Sequence, residues 1–510
     1  MIDGAPVNVL DFGAVADGVT DSTAAIQSAI NYASNNNRSV VYFPAGKYLT
    51  NTLYVTYDAA LNPNFNSSIN GRITLKGEGK IPGADYTSWT TSSPVIGTLL
   101  ISSATTLSAV ILSTSTAAYA NRQQVIKDMT IAANTTAYVV ENNAAPDQSG
   151  LENVAIIQQN AAGSGVFWKS SWYTYWRGVI IGTPSTVTST GNGLVFESAL
   201  FAGLFNFISC SFTGNFANSV KIGPNSGSAN LAFQNCGFES ATNAGLLIDA
   251  EVRSISLRDC YWENNGVNHI KVNTASGVTN LVVDSGLFFG GNTAATAPSG
   301  SFIDLQVGSS ADISNCTFFR PHTTLVYNEY DAGNPSGNRT TVRNCAVDVS
   351  GATYGGGAFF YCFDSNDQNG IPLSVNNQIT PSAVVVLVNP AYLLGSAVSG
   401  SASRYLSYGF TSVFSRAMDV AFEQDFPQTT LASVRLYTTT AASCSVQMPS
   451  GGISESRTFY LANSSTSTQS LDILQNGGGT LTTLAAGTAV ICIGNPATSK
   501  WVALKTTFFD

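Results

Sequence analysis

Glu239 and Glu263 occupy the same place in two successive copies of one short pattern, as Phe238-Glu239-Ser240 and Trp262-Glu263-Asn264. Each lies three residues past a cysteine, at a position whose parity turns it away from the apolar interior. Two outward carboxylates on neighbouring strands begin about 4.8 Å apart at the backbone. Close like charges raise one pKa, which sets a protonated acid beside an ionised base or nucleophile, the pair that glycoside hydrolysis uses. That spacing is near the separation in retaining enzymes, and flexible side chains open it toward the inverting range. Tyr261 shares the face, and Arg258 and Asp284 lie on the adjoining outward face with Gln234 and Arg343. Tyr261, Arg258 and Asp284 are expected to place the sugar, with Asp284 a third catalytic candidate. A glutamate just after a strand also suits a plain turn hydrogen bond. Asp249, Glu251, Asp312, Glu329 and Asp331 are reserve candidates.

Other chemistries lack their residues. The chain has no Gly-x-Ser-x-Gly elbow and no Gly-x-x-x-x-Gly-Lys loop, and its two histidines, His269 and His322, stand apart without metal-type neighbours. Neither a Ser-His hydrolase nor a zinc site is expected, and no cofactor.

The densest aromatic cluster runs from Phe167 to Arg177, Phe-Trp-Lys-Ser-Ser-Trp-Tyr-Thr-Tyr-Trp-Arg. Trp176 falls on an inward position, but an alternating strand cannot bury all six rings. Trp168, Trp172, Tyr173 and Tyr175 are the candidates to stack on sugar rings, with Arg177 beside them. Packing between subunits would favour the same residues.

These side chains sit on a repeat. From Phe205 to Val347 the chain reads apolar, any, apolar, any, Asn-like, Cys-like, any, aromatic, with the cysteine slot at 210, 236, 260, 286, 316 and 345. Fainter copies put the slot at 129, 154 and 179, and Ile73–Gly77 is a further fragment. A period of 24 to 30 residues with strand-like content marks a solenoid. Apolar residues alternate, and the phase slips by one at the Asn-like residue, so both halves stay inward only if the chain bends there. Asn, Asp and Gly tolerate the left-handed backbone such a bend needs. Strand, bend, strand on every turn predicts a parallel β-helix with cysteines and aromatics stacked inside.

The ends differ from the middle. Val7–Ala14 reads as a short strand and turn. A helix follows, with Ala24, Ala25, Ile26, Ala29, Ile30 and Ala33 as its stripe, Asp21 or Ser22 as N-cap and Asn35-Asn36-Asn37 as stop. Two strands around Pro44-Ala45-Gly46 come next. Such a helix covers the open end of a solenoid. Residues 371–510 change texture to short alternating strands, among them 433–437, 457–461, 470–474 and 489–493, as in a β-sandwich. The expected domains are 1–37 for strand and capping helix, 38–370 for the β-helix and 371–510 for the sandwich.

Asp11-Phe12-Gly13-Ala14, Asp17-Gly18, Thr20-Asp21, the Ala-Ile helix and Tyr42-Phe43-Pro44-Ala45-Gly46-Lys47-Tyr48 together resemble the entrance of the pectate-lyase-like superfamily, in the form found in bacteriophage tailspikes and capsule depolymerases. The tight match covers about 45 residues, and the ladder extends the architectural resemblance to roughly residue 370. The resemblance implies an all-β chain: a right-handed parallel β-helix, a short capping helix and a C-terminal β-sandwich that trimerises or binds carbohydrate. It implies a homotrimeric depolymerase on the virion, carried by the phage tail or baseplate, assembled in the host cytoplasm and cleaving a bacterial surface polysaccharide. The motif carries no catalytic residue, so none is transferred from it. Two alternatives stand beside hydrolysis: a lyase eliminating next to a uronate, with Arg320-Pro321-His322 as the candidate loop, and a glycan-binding adhesin without catalysis.

Composition agrees. A net charge of -9, with 10% of residues charged, excludes a nucleic-acid backbone as partner and gives no attraction to an anionic membrane. No apolar run of membrane-spanning length occurs, and the first residues lack the pattern of a signal peptide. The eight cysteines fall mainly in the inward slot and are expected as buried thiols rather than disulfides.

Overall fold

The computed structural model describes residues 5–348 apart from 59, 67–71, 82–95, 114–122, 146–148, 171–172, 199–202, 224–229, 251, 274–279, 291–297, 306–308, 321–324 and 330–339. Beyond 348 it describes a set of strands and a few connecting residues between 360 and 507. The chain forms two compact units, Met1–Thr340 with Ala352–Gly370, and Thr341–Gly351 with Ile371–Asp510.

The first unit is the expected parallel coil. Strands Leu204–Ile208, Asn230–Gln234, Ser254–Arg258, Leu281–Asp284 and Ala311–Ser314 pair in parallel, each with the next turn. Past the bend, Ser211–Phe212, Gly237–Glu239, Tyr261–Glu263, Leu287–Phe289 and Thr317–Phe319 do the same. A separate sheet of 11 parallel strands, from Leu53–Tyr54 to Phe360–Phe363, completes each turn. At every bend one residue takes the left-handed conformation: Asp128, Asn153, Gly178, Ser209, Asn235, Asp259, Ser285, Asn315 and Asn344, the non-glycine ones with φ of 52–56°. Each is the residue before a cysteine slot. Their side chains are short and polar, which lowers the steric cost of that backbone.

The bend keeps both halves inward. Phe212, Phe238, Trp262, Phe288 and Phe318 form one continuous stack, with centroids 5.4, 5.4, 4.3 and 4.9 Å apart. Cys210, Cys236, Cys260 and Cys316 line the neighbouring column as buried free thiols, and Cys345, in the second unit, is also a buried free thiol. At Gly286 an added Cβ would stand 3.0 Å from the Trp262 indole and 3.1 Å from the Phe288 ring, so the missing thiol makes room for the widest ring of the stack.

The helix spans Thr23–Asn35 and buries Ile26, Ala29, Ile30, Ala33 and Ser34. Ser22 is the N-cap residue but gives no side-chain cap, because its hydroxyl is engaged with Val15. Asp21 does the work instead, its Oδ1 accepting from the Thr23 N–H at 2.9 Å. Val7–Asn8 is a strand paired with Val40–Phe43, and Val9–Phe12 is a 3-10 turn rather than its continuation. Gly13, at φ 92°, ends that turn.

In the second unit Thr341–Arg343, Leu373–Val375 and Tyr392–Leu394 pair in parallel. A 6-stranded and a 4-stranded sheet follow. The larger sheet is mixed: Tyr405–Tyr408 is antiparallel to Thr411–Met418, which is parallel to Ser433–Thr439, while Thr458–Asn463, Thr488–Asn495 and Lys500–Thr507 close the sheet antiparallel. Among the described residues of these two sheets Leu461, Leu471, Ile473, Leu484, Val490 and Cys492 are buried.

Candidate active site

Glu239 and Glu263 face each other directly across paired strands, with Gly237 opposite Tyr261 and Phe238 opposite Trp262. Phe238 and Trp262 are fully buried, so alternation places the two carboxylates on the outer wall, where both are half-buried. The Tyr261 hydroxyl donates to Glu263 Oε2 at 2.5 Å. Burial, then the charge of Glu263, raises the pKa of Glu239. Burial, then the hydrogen bond to Glu263, pushes the Tyr261 phenol up as well, so it stays a donor. The pair is thus unlike in environment: one carboxyl inclined to hold its proton, the other receiving a short hydrogen bond.

The other expected residues are placed as follows. Arg258 is exposed on the strand before the bend, and its register partner is Asp284. Asp284 Oδ1 accepts from Ser314 Oγ at 3.0 Å and Asn315 Nδ2 at 2.8 Å, which ties it to the next turn. Neither is joined to the glutamate pair by a hydrogen bond or ion pair among the interactions described. Asp249 is paired with Lys221 at 3.0 Å, and Asp312 is half-buried on its strand. Glu251 and Asp331 lie outside the described residues, as does the side chain of Glu329.

Trp168 is a correction. It is fully buried, donates from Nε1 to Thr174 Oγ1 at 2.9 Å and stands edge-on to Trp176 at 5.1 Å, so it belongs to the core and cannot meet a sugar. The coil has two buried sheets here, and Trp168 points inward from the second of them. Tyr173 and Tyr175 are 49% and 45% exposed, on the same face as Arg177. Trp172, Pro321 and His322 lie outside the described residues. His269 is fully buried between Asn265 and Phe302, and burial depresses its pKa to about 3, so it is a neutral core residue.

The sequence reading missed the continuation of the carboxylate column. In register after Glu263 come Phe289 and Phe319, half-buried and stacked at 5.5 Å. The Arg320 guanidinium lies 5.0 Å from the centre of the Phe319 ring. The signal was available: position three past the slots at 236, 260, 286 and 316 reads Glu, Glu, Phe, Phe.

A coiled parallel β-helix with paired carboxylates on its outer wall defines the class. The chain belongs to the family described as rhamnogalacturonase A/epimerase, pectate lyase-like, which it matches over residues 6–269, more than half its length. The pectate-lyase-like resemblance of the entrance motif is thereby borne out. Among curated relatives, mannuronan C5-epimerase AlgE1 of Azotobacter vinelandii is 58% identical over 41 residues, 8% of this chain and 3% of its own length. Among solved structures, the A-module of mannuronan C-5 epimerase AlgE4 from the same organism is 15% identical, covering 77% of this chain and 100% of its own, with a TM-score of 0.49. A tailspike of the Acinetobacter baumannii bacteriophage Fri1, a capsular polysaccharide depolymerase, is 12% identical over 74% of this chain and 59% of its own, with a TM-score of 0.33.

Proposed function

We propose that this chain is a polysaccharide-cleaving glycoside hydrolase in which Glu239 is the general acid and Glu263 the nucleophile or base. The observation that carries the reading is the in-register pair held in two unlike environments. Glu239 would give its proton to the glycosidic oxygen as the bond breaks. Glu263 would then act at the anomeric carbon, directly or through a water. The Tyr261 hydrogen bond holds the Glu263 carboxylate in place for that step. Tyr173 and Tyr175, exposed on the wall before the bend, offer faces for sugar rings, with Arg258 and Asp284 as polar contacts nearer the pair.

The family's name, with its rhamnogalacturonase, supports a polysaccharide substrate. The finer reading follows from the entrance motif: a homotrimeric spike on a phage virion, attached to tail or baseplate and acting on a bacterial capsule, O-antigen or exopolysaccharide. Proton abstraction next to a uronate, leading to elimination or epimerisation, is the second reading. The epimerase in the family name and Tyr261 beside both carboxylates favour it. Against it stands the raised pKa of that phenol, which leaves little phenolate to take a proton.

The test is incubation with a panel of bacterial surface polysaccharides, followed by mass and ultraviolet absorbance of the products. Hydrolysis adds one water per cut. Elimination leaves an absorbing unsaturated sugar, and epimerisation leaves the chain uncut.

A further inference from the structure

We infer that Gly237 is a positioning residue: its missing side chain leaves a notch in the outer wall into which the Glu239 carboxyl folds. The inference rests on the reading of Glu239 as the acid. On the outward column past the bend, Ser211, Gly237, Tyr261 and Leu287 follow one another in register. Gly237 alone of these four carries no side chain. A Cβ built there would stand 2.8 Å from Glu239 Oε1, with Glu239 Cδ at 3.8 Å and Ser211 Oγ at 4.0 Å as the next atoms. The carboxyl therefore leans back over the strand and occupies the place a side chain at 237 would take.

Nothing in the backbone asks for glycine at this position. Gly237 is not among the residues with positive φ, and strands favour residues with side chains to pack. Other glycines of the coil have structural reasons. At Gly150 a Cβ would strike the Tyr175 carbonyl oxygen at 2.2 Å, and at Gly286 it would press on two buried rings. At Gly237 the first atom met is the tip of a flexible side chain, which can swing away at little cost to the fold. Alanine there would move the carboxyl and leave the wall intact.

The titratable groups facing Glu239 are few. Glu263 and Tyr261 approach from the next turn, and the in-register neighbour of Gly237 on the previous turn is the uncharged Ser211. Arg258 and Asp259 lie before and at the bend, and Ser219 touches only the Glu239 backbone carbonyl. With so few charges near, shelter in the notch is the main thing that holds the proton on Glu239, in agreement with burial as the first cause of its raised pKa.

The experiment is carbon-13 NMR of glutamate carboxyls in the full chain, with the Glu239 resonance assigned by its loss in Glu239→Gln. In Gly237→Ala and Gly237→Ser the Glu239 titration midpoint should fall toward the ordinary glutamate value, while thermal melting stays within a degree or two of the parent. A midpoint that stays or rises in correctly melting variants would overturn the notch. This readout needs no substrate, so it decides the role of Gly237 even if every polysaccharide is left uncut and the hydrolase reading fails. If a substrate is found, the alkaline limb of kcat/KM should move to lower pH in Gly237→Ala, because the acid loses its proton sooner. An unmoved limb would contradict the inference.

Discussion

At the scale of single residues, the account turns on two glutamates in different surroundings. Glu239→Gln and Glu263→Gln should each lower turnover about 100-fold to 10,000-fold, the usual worth of a positioned acid or base, with folding unchanged. Tyr261→Phe removes a hydrogen bond to a charged group, worth about 1.5–3 kcal/mol. It should therefore slow turnover roughly tenfold to a hundredfold by steady-state kinetics. The raised pKa of Glu239 also has a stability consequence. In the window between its unfolded and folded values the folded chain holds a proton that the unfolded chain releases, so stability falls as pH rises through that window. Denaturation in buffers across the carboxylate range should show this loss in the parent and not in Glu239→Gln.

At the scale of elements, the bends and the inner stack are where the sequence was most legible. A one-residue slip in alternation has one physical resolution inside a buried coil, and short polar residues mark its place. Asn235→Ala should cost about 1–2 kcal/mol for the left-handed backbone, and Asn235→Gly much less, as measured by chemical denaturation. Trp262→Ala, which empties the middle of the stack, should cost about 3–5 kcal/mol in the same assay. His269 adds a pH term of opposite direction. Its pKa is depressed from 6.5 to about 3 by burial, so stability is present above pH 6.5 and is lost as pH falls toward 3. His269→Phe should flatten that acid loss. Less legible was which face of an aromatic-rich strand is inside. Trp168 and Tyr173 stand in one run of sequence, yet they lie on strands of different sheets, each of which buries its own inner face. Strand direction in the second unit was equally hidden, because alternation is the same in parallel and antiparallel pairs.

At the scale of the whole molecule, a parallel coil repeats each outward position once per turn and so turns a column of sequence into a column of surface. That geometry set Glu239 beside Glu263 and extended them into Phe289 and Phe319, which the motif-by-motif reading had not followed. Among the described residues no helix is long and apolar enough to cross a membrane, and none of the His, Cys, Asp and Glu side chains gather in threes as for a metal. If the chain is a spike of the proposed kind, light scattering should give three times the 53.3 kDa of one chain. The most direct test of the central claim is product analysis on a responsive surface polysaccharide, with parent, Glu239→Gln and Glu263→Gln side by side. The account predicts fragments one water heavier per cut from the parent and none from either variant. Unsaturated or epimerised products, or fragments still released by both variants, would contradict it.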